Sequence, residues 1–156
     1  SISGRVVRLR DLGGVTFAPR ESFAPVAAAG HAVRVLVAED SEVVRETIKR
    51  ALENAGYSVT VAEDGAAALE LAARDTFDLV STDVMMPRMD GYELTRRLRE
   101  LEAYREVPIV MVTSKEERID RIRGFDAGID AYLTKPADSA ELLRVIAAQL
   151  QRSKRD

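Results

Sequence analysis

"VRVLVAEDSEVVRETIKRALENAG", Val33 to Gly56, decides the fold. Its first six residues, Val33 to Ala38, form a short and largely apolar run of the kind that makes a buried strand. Two acids follow. Then Val44, Ile48, Ala51, Leu52 and Ala55 recur at a helical period, behind a Ser41 suited to cap the first turn and ahead of a Gly56 suited to end the last. One strand, one acidic junction and one amphipathic helix make a unit that the rest of the chain repeats.

The repeats are easily found. "YSVTVA" (Tyr57 to Ala62) reads as a second strand and "DGAAALELAARD" as its helix; "FDLVST" (Phe77 to Thr82) is a third strand, followed after a loop by "YELTRRLREL" with Leu94, Leu98 and Leu101 on one face. "VPIVMVTS" (Val107 to Ser114) is a fourth, with "EERIDRIRGFDAG" predicted to turn Ile119, Ile122 and Phe125 inward. "DAYLT" (Asp130 to Thr134) is a fifth, before the helix "SAELLRVIAAQLQ". Strict alternation with near-continuous apolar strands predicts a doubly wound α/β fold, a five-stranded parallel sheet with helices on both faces, because parallel strands need crossovers that bury both sides.

In such sheets the chemistry lies beyond the carboxyl ends of the strands, at the switch point in strand order. The residues there are Glu39 and Asp40 after the first strand, Asp83 after the third, Thr113 and Ser114 at the fourth, and Lys135 with Pro136 at the fifth. Taken singly, each has an ordinary reading: acids beside a helix N-terminus, hydroxyls as caps, a solvated loop lysine. Together on one rim they form a site. Three clustered carboxylates repel one another unless a divalent cation neutralises them, and with no His or Cys at hand the ion is Mg²⁺ or a similar hard cation. An ammonium at Lys135 adds a second positive centre, and such a site suits phosphoryl transfer onto Asp83, with the Thr113 hydroxyl meeting a phosphoryl oxygen. His31 reads as a solvated spacer and Tyr132 as strand packing.

Composition removes other classes. The 156 residues are 46% hydrophobic and 31% charged, enough for one core; 26 acids against 23 bases leave a net charge of −3, which argues against direct nucleic-acid binding. The absence of Cys and the single His exclude disulfides, thiol chemistry and the common transition-metal clusters. No apolar run approaches a membrane span and no signal peptide is visible, so a soluble cytoplasmic location is expected. Residues 1–21, where Val7 and Leu9 alternate with Arg8 and Arg10, read as the remnant of a preceding domain or an arm; 22–32, rich in Ala and Pro, as a linker; 33–152 as the domain; and 153–156 as a tail. The start at Ser1 is expected of a piece of something longer.

The acid pair Glu39–Asp40, "DLVSTDVMMPRMDG" around Asp83, "VMVTS" with Thr113 and "YLTKP" with Lys135 together resemble the receiver domain of two-component response regulators, over about Arg34 to Gln151. Thr113 stands thirty residues beyond Asp83 and Lys135 fifty-two beyond it, both spacings typical of that family. The resemblance implies a flavodoxin-like strand order 2-1-3-4-5 and a phosphoryl group taken from the phosphohistidine of a histidine kinase onto Asp83. It implies Mg²⁺ held by Glu39, Asp40, Asp83 and the backbone carbonyl of Met85, with Thr113 and Tyr132 as a switch pair. It further implies an output face on the fourth helix, fifth strand and fifth helix, about Glu116 to Gln151. "STDVMMPRMDGYELTRRLR" is most similar to receivers fused behind chemotaxis-type (CheA-like) hybrid histidine kinases, which would make "GRVVRLRDLGG" the tail of a CheW-like domain. Ala137 stands after "KP" where the family often has Phe, and Met85 and Lys115 flank the site at positions that influence phosphoryl lifetime in the family. The chain catalyses its own phosphorylation and dephosphorylation on this reading, with no separate substrate.

Three other classes share parts of this pattern. A haloacid-dehalogenase-type phosphatase needs a second Asp two residues beyond the nucleophile, where this chain has Met85. A flavodoxin-like nucleotide binder needs a phosphate loop after the first strand, where two carboxylates would repel phosphate. The remaining rival is a receiver-fold docking module that regulates a kinase by protein contact without being phosphorylated.

Overall fold

Two hydrophobic layers, one on each side of a single sheet, organise the chain. The structure is a computed structural model that describes residues 31–114, 121–135 and 139–155. Strands β1 (Arg34–Ala38), β2 (Ser58–Ala62), β3 (Leu79–Asp83), β4 (Ile109–Ser114) and β5 (Ala131–Lys135) alternate with helices α1 (Glu42–Asn54), α2 (Gly65–Arg74), α3 (Gly91–Arg99), α4 (Arg121–Ala127) and α5 (Ser139–Arg155). All strand pairs are parallel and the order is β2-β1-β3-β4-β5, the doubly wound sheet expected from the sequence.

Alternation along each strand assigns the layers. Val35 and Val37 of β1, Leu79 of β3 and Val110 and Val112 of β4 pack with Ile48 and Leu52 of α1 and Leu142 and Ile146 of α5. Leu36 and Ala38, Val80, and Ile109 and Met111 face the other way, onto Ala68 and Ala72 of α2 and Leu94 and Leu98 of α3. Both faces are therefore covered, which is why the strands read as continuous apolar runs. The caps act as the sequence predicts: Ser41 Oγ accepts the Val44 N–H at 3.3 Å, and Gly56 takes a left-handed φ of 101° just past the end of α1.

Local differences have physical reasons. β3 begins two residues later than predicted and ends on Asp83, β4 begins two residues later, at Ile109, and β5 runs one residue further, to Lys135, because Ser114↔Lys135 extends the parallel ladder. The prediction that Ile122 and Phe125 turn inward is wrong: they are 76% and 52% exposed. The small Gly124 and Ala127 face inward instead, because the Tyr132 ring lies so close to Gly124 that any β-carbon there would overlap the phenol oxygen. Phe125 meets that ring edge-on, at 5.5 Å between centroids and 83° between planes. Ile119, Lys115, Pro136 and Ala137, the proposed N-terminal remnant 1–21 and most of the linker lie outside the described residues. His31 is exposed, its Nδ1 2.8 Å from the carbonyl of Ala32. None of the described helices is long and apolar enough to cross a membrane.

The far end of the sheet is held by polar anchors absent from the sequence reading. Arg99, in the last turn of α3, donates to the carbonyls of Gly128 (3.0 and 2.7 Å), Tyr104 (2.5 Å) and Val107 (2.7 Å) and to the Asp130 carboxylate at 2.9 Å. Asp130 Oδ2 also accepts the Ile109 N–H at 2.8 Å, so one guanidinium ties α3 to the entrances of β4 and β5. The buried Tyr104 lies in a 3₁₀ turn, Glu102–Tyr104, with its hydroxyl 2.9 and 2.8 Å from the carbonyls of Ala72 and Asp75. Arg99→Met keeps the side-chain length but strands these carbonyls and a carboxylate; the expected loss is about 3 kcal/mol, read as a lower urea midpoint with an unchanged slope.

Candidate functional site

The switch point between β1 and β3 is where chain direction opens a cleft at the carboxyl edge. Register places it: Ala38 pairs with Thr82 in the parallel ladder, so Glu39 and Asp40 leave β1 beside Asp83 at the end of β3. One carboxylate oxygen from each of the three acids lies within 4.8 Å of the others. Glu39 and Asp83 are buried and Asp40 is exposed.

Backbone and caps fix each acid. Glu39 N–H donates to the Ala62 carbonyl at 3.0 Å, carrying the β1–β2 ladder one residue further, and Glu39 Oε2 accepts the Ser41 N–H at 3.1 Å. Arg45, one turn into α1, donates to the Glu39 carbonyl at 2.9 Å. Asp83 Oδ1 accepts the N–H of Val84 at 2.8 Å, and the Asp83 carbonyl accepts the Thr82 hydroxyl at 2.9 Å. A β-carbon at Gly91 would overlap that same carbonyl, so α3 can begin here only with glycine. The Gly91 N–H donates to Val84 O at 2.8 Å and Asp90 Oδ1 caps the helix at Glu93 N, 2.8 Å away.

Around the acids, Thr113 is fully buried in β4, one position beyond Val112, the in-register neighbour of Asp83. Lys135 ends β5 opposite Ser114. Tyr132 is half-buried and packs on the same hydrophobic layer as Leu94 and Met111. The predicted site residues thus come from four strand ends of one edge. The Met85 side chain is exposed beside buried Val84 and Met86.

Arg88 and Asp64 are what the sequence reading missed. Arg88 lies in the β3–α3 loop with φ at 67°, and its Nε and Nη2 donate to Asp64 Oδ2 at 2.9 and 2.5 Å. Asp64 caps α2 through Oδ1 and the Ala67 N–H, 2.7 Å apart. The capping half was legible as "DGAAAL"; the ion pair joins residues of different loops and leaves no local pattern.

The chain belongs to the response regulator receiver domain family, whose model matches residues 35–147. It is 45% identical over 124 residues to Response regulator MprA of Mycobacterium leprae, covering 80% of this chain and 54% of that protein. The chain thus spans about half the length of the curated relatives it matches. Among solved structures, the chemotaxis response regulator CheY4 of Vibrio cholerae superposes with a TM-score of 0.71 at 32% identity, over 75% of this chain and 98% of that one. The receiver domain of the sensor histidine kinase PA1611 of Pseudomonas aeruginosa PAO1, whose structure has a magnesium ion coordinated in the active site cleft, gives 0.71 at 35% identity over 76% and 98%.

The Ala67 N–H, opposed by burial and assisted by Arg88, holds the Asp64 carboxyl below the usual carboxylate range. Its ionised form therefore stabilises the fold fully above the ordinary unfolded value of about 4, and that contribution is lost as pH falls through the lowered folded value. Asp64→Asn, which keeps a capping oxygen, is expected to flatten the decline of unfolding free energy with acid below about pH 4, measured by urea titration at a series of pH values.

Proposed function

We propose that this receiver takes a phosphoryl group onto Asp83 from the phosphohistidine of a histidine kinase. The observation that carries the reading is the group of three carboxylates with oxygens within 4.8 Å, two of them buried, at the β1/β3 switch point. Three like charges so close, in a partly dehydrated cleft, need a cation, and an all-oxygen donor set fits Mg²⁺. Glu39, Asp40, Asp83 and the Met85 carbonyl would hold it, as the magnesium-containing PA1611 receiver supports by likeness. When bound, the ion neutralises the acids and the charge on a transferring phosphoryl group.

The chain's own residues supply the rest. Val84 N–H and the β3 backbone orient the Asp83 carboxylate as nucleophile. An Asp83 oxygen forms a bond to phosphorus as the phosphorus–nitrogen bond of the phosphoimidazole breaks; the leaving nitrogen takes the electron pair and then a proton. Lys135 balances the added negative charge, and the Thr113 hydroxyl meets a phosphoryl oxygen. Tyr132 couples that movement to α4, β5 and α5 by favouring one of two pre-existing conformations, which changes the face a partner reads. Exposed Ile122 and Phe125 belong to that face in its described part.

For the parent protein we favour a hybrid histidine kinase of the CheA type, with the kinase in the same polypeptide and residues 1–32 as the end of its preceding domain and tether. The likeness of the "STDVMMPRMDGYELTRRLR" segment and a histidine-kinase receiver among the solved relatives support this.

Asp83→Asn is expected to abolish phosphoryl uptake from the kinase. Beryllofluoride with Mg²⁺ should shift the NMR amide signals of α4 through α5 in the wild type and not in Asp83→Asn; equal shifts in both would remove Asp83 as the acceptor. Lys135→Ala is expected to accept phosphoryl yet lose most of the α4–α5 shifts. A chain whose partner binding is indifferent to Asp83 phosphorylation would instead be the docking module.

A further inference from the structure

Residues 84–90 carry the chain from the end of β3, past Met85, to the start of α3. Apart from glycine, Arg88 is the one described residue in the left-handed region, with φ at 67°. That conformation presses the β-carbon against the following carbonyl and strains any L-residue; glycine would adopt it freely. The side chain itself is 64% exposed and screened by water, while the carboxylate it meets is buried. Asp64 divides its carboxylate between two partners, Oδ1 to the Ala67 N–H at the α2 N-terminus and Oδ2 to Arg88. What offsets the strain at Arg88 is therefore its double contact to a buried carboxylate oxygen of another loop.

Asp64 is 4% exposed and rigid at the α2 cap, and Arg88 meets its Oδ2 through two nitrogens. The next residue repeats the contact from the other side: a β-carbon at Gly65 would overlap the carbonyl oxygen of Met89. Asp64–Gly65 therefore holds Arg88–Met89, while Gly91 N–H to Val84 O closes the loop at its base. Between these two points stand Met85, Met86 and Pro87.

We propose that Arg88 is a positioning residue for phosphoryl transfer: its clamp on Asp64 orders the β3–α3 loop in advance, so that the Met85 carbonyl faces the acid cluster before ion or phosphoryl group arrives. The inference rests on the reading of Asp83 as acceptor and of Met85 O as a ligand. Ordering the loop beforehand removes an entropy cost from binding, so the clamp acts on affinity for the ion rather than on the rate of the transfer step.

Arg88→Gly separates this role from a structural one, because it removes the clamp and the backbone strain together. The 156-residue chain carrying it should still fold and unfold cooperatively, since relief of the strain offsets the lost contact to Asp64 Oδ2. Amide hydrogen exchange at Met85 to Met89 should accelerate without added metal, and the Mg²⁺ dissociation constant should rise about tenfold, as for other residues that orient a ligand. Phosphorylation by a small phosphoramidate donor should slow at low Mg²⁺ and recover at saturation. Arg88→Lys should restore part of the affinity, and Asp64→Asn should match Arg88→Gly, with the double variant no worse than either. Unchanged exchange and Mg²⁺ affinity in Arg88→Gly would overturn the proposal. Asp83→Asn, run in parallel, distinguishes the two failures: if it is phosphorylated like the wild type, the reading of the acceptor is at fault; if it is inert while Arg88→Gly behaves as wild type, only the clamp is.

Discussion

Parallel pairing of β1 with β3 is the constraint on which the rest of the molecule depends. Val35↔Leu79 through Ala38↔Thr82 brings two strands more than forty residues apart into one register, and the residues next beyond it are Glu39, Asp40 and Asp83. A slip of one residue would turn Asp83 to the other face and send the apolar set of β3 into the wrong layer. The hydrophobic layers enforce the register, since Leu79 must lie with α1 and α5 and Val80 with α2 and α3. Core packing therefore assembles an electrostatically unfavourable cluster that the acids themselves would never form. Packing supplies the driving force; the cluster of acids is its consequence.

The cluster is stiffened by contacts that leave little room for substitution. Thr82 hydroxyl and Val84 N–H fix Asp83 at its carbonyl and carboxylate, and the α3 N-terminus approaches so closely that only glycine fits at residue 91. At the opposite edge, Arg99 and Tyr104 satisfy carbonyls left over by the turns, which keeps the entrances of β4 and β5 in place. Between the two anchored ends lie α4 and β5, where Gly124 makes room for Tyr132 and Phe125 is left at the surface. α4 thus meets β5 chiefly through the Tyr132 ring, which Gly124 and Phe125 both contact. Any change in the setting of Tyr132 would therefore be felt directly by α4, which suits the face proposed to report phosphorylation.

The five-unit alternation was plain in the sequence from hydrophobic period alone, as were the Ser41 cap, the glycine after α1 and the gathering of Glu39, Asp40, Asp83, Thr113 and Lys135 at strand ends. These are local signals: a period, a cap or a junction is written in ten to fifteen consecutive residues. Ile122 and Phe125 were misread because spacing identifies an apolar stripe but not what already fills the space beneath it. Tyr132 fills it here, from eight residues further along the chain.

What the sequence determined by itself was the set of elements, their type and the chemical character of the rim. Which acids meet in one cluster depended on the β1–β3 register, and the Asp64–Arg88 and Arg99–Asp130 pairs depended on where whole loops come to rest. The reason is the range of the interactions. Helical and strand periods reflect backbone geometry over neighbouring residues, whereas these two ion pairs join groups twenty-four and thirty-one residues apart and exist only once both hydrophobic layers have closed on the sheet.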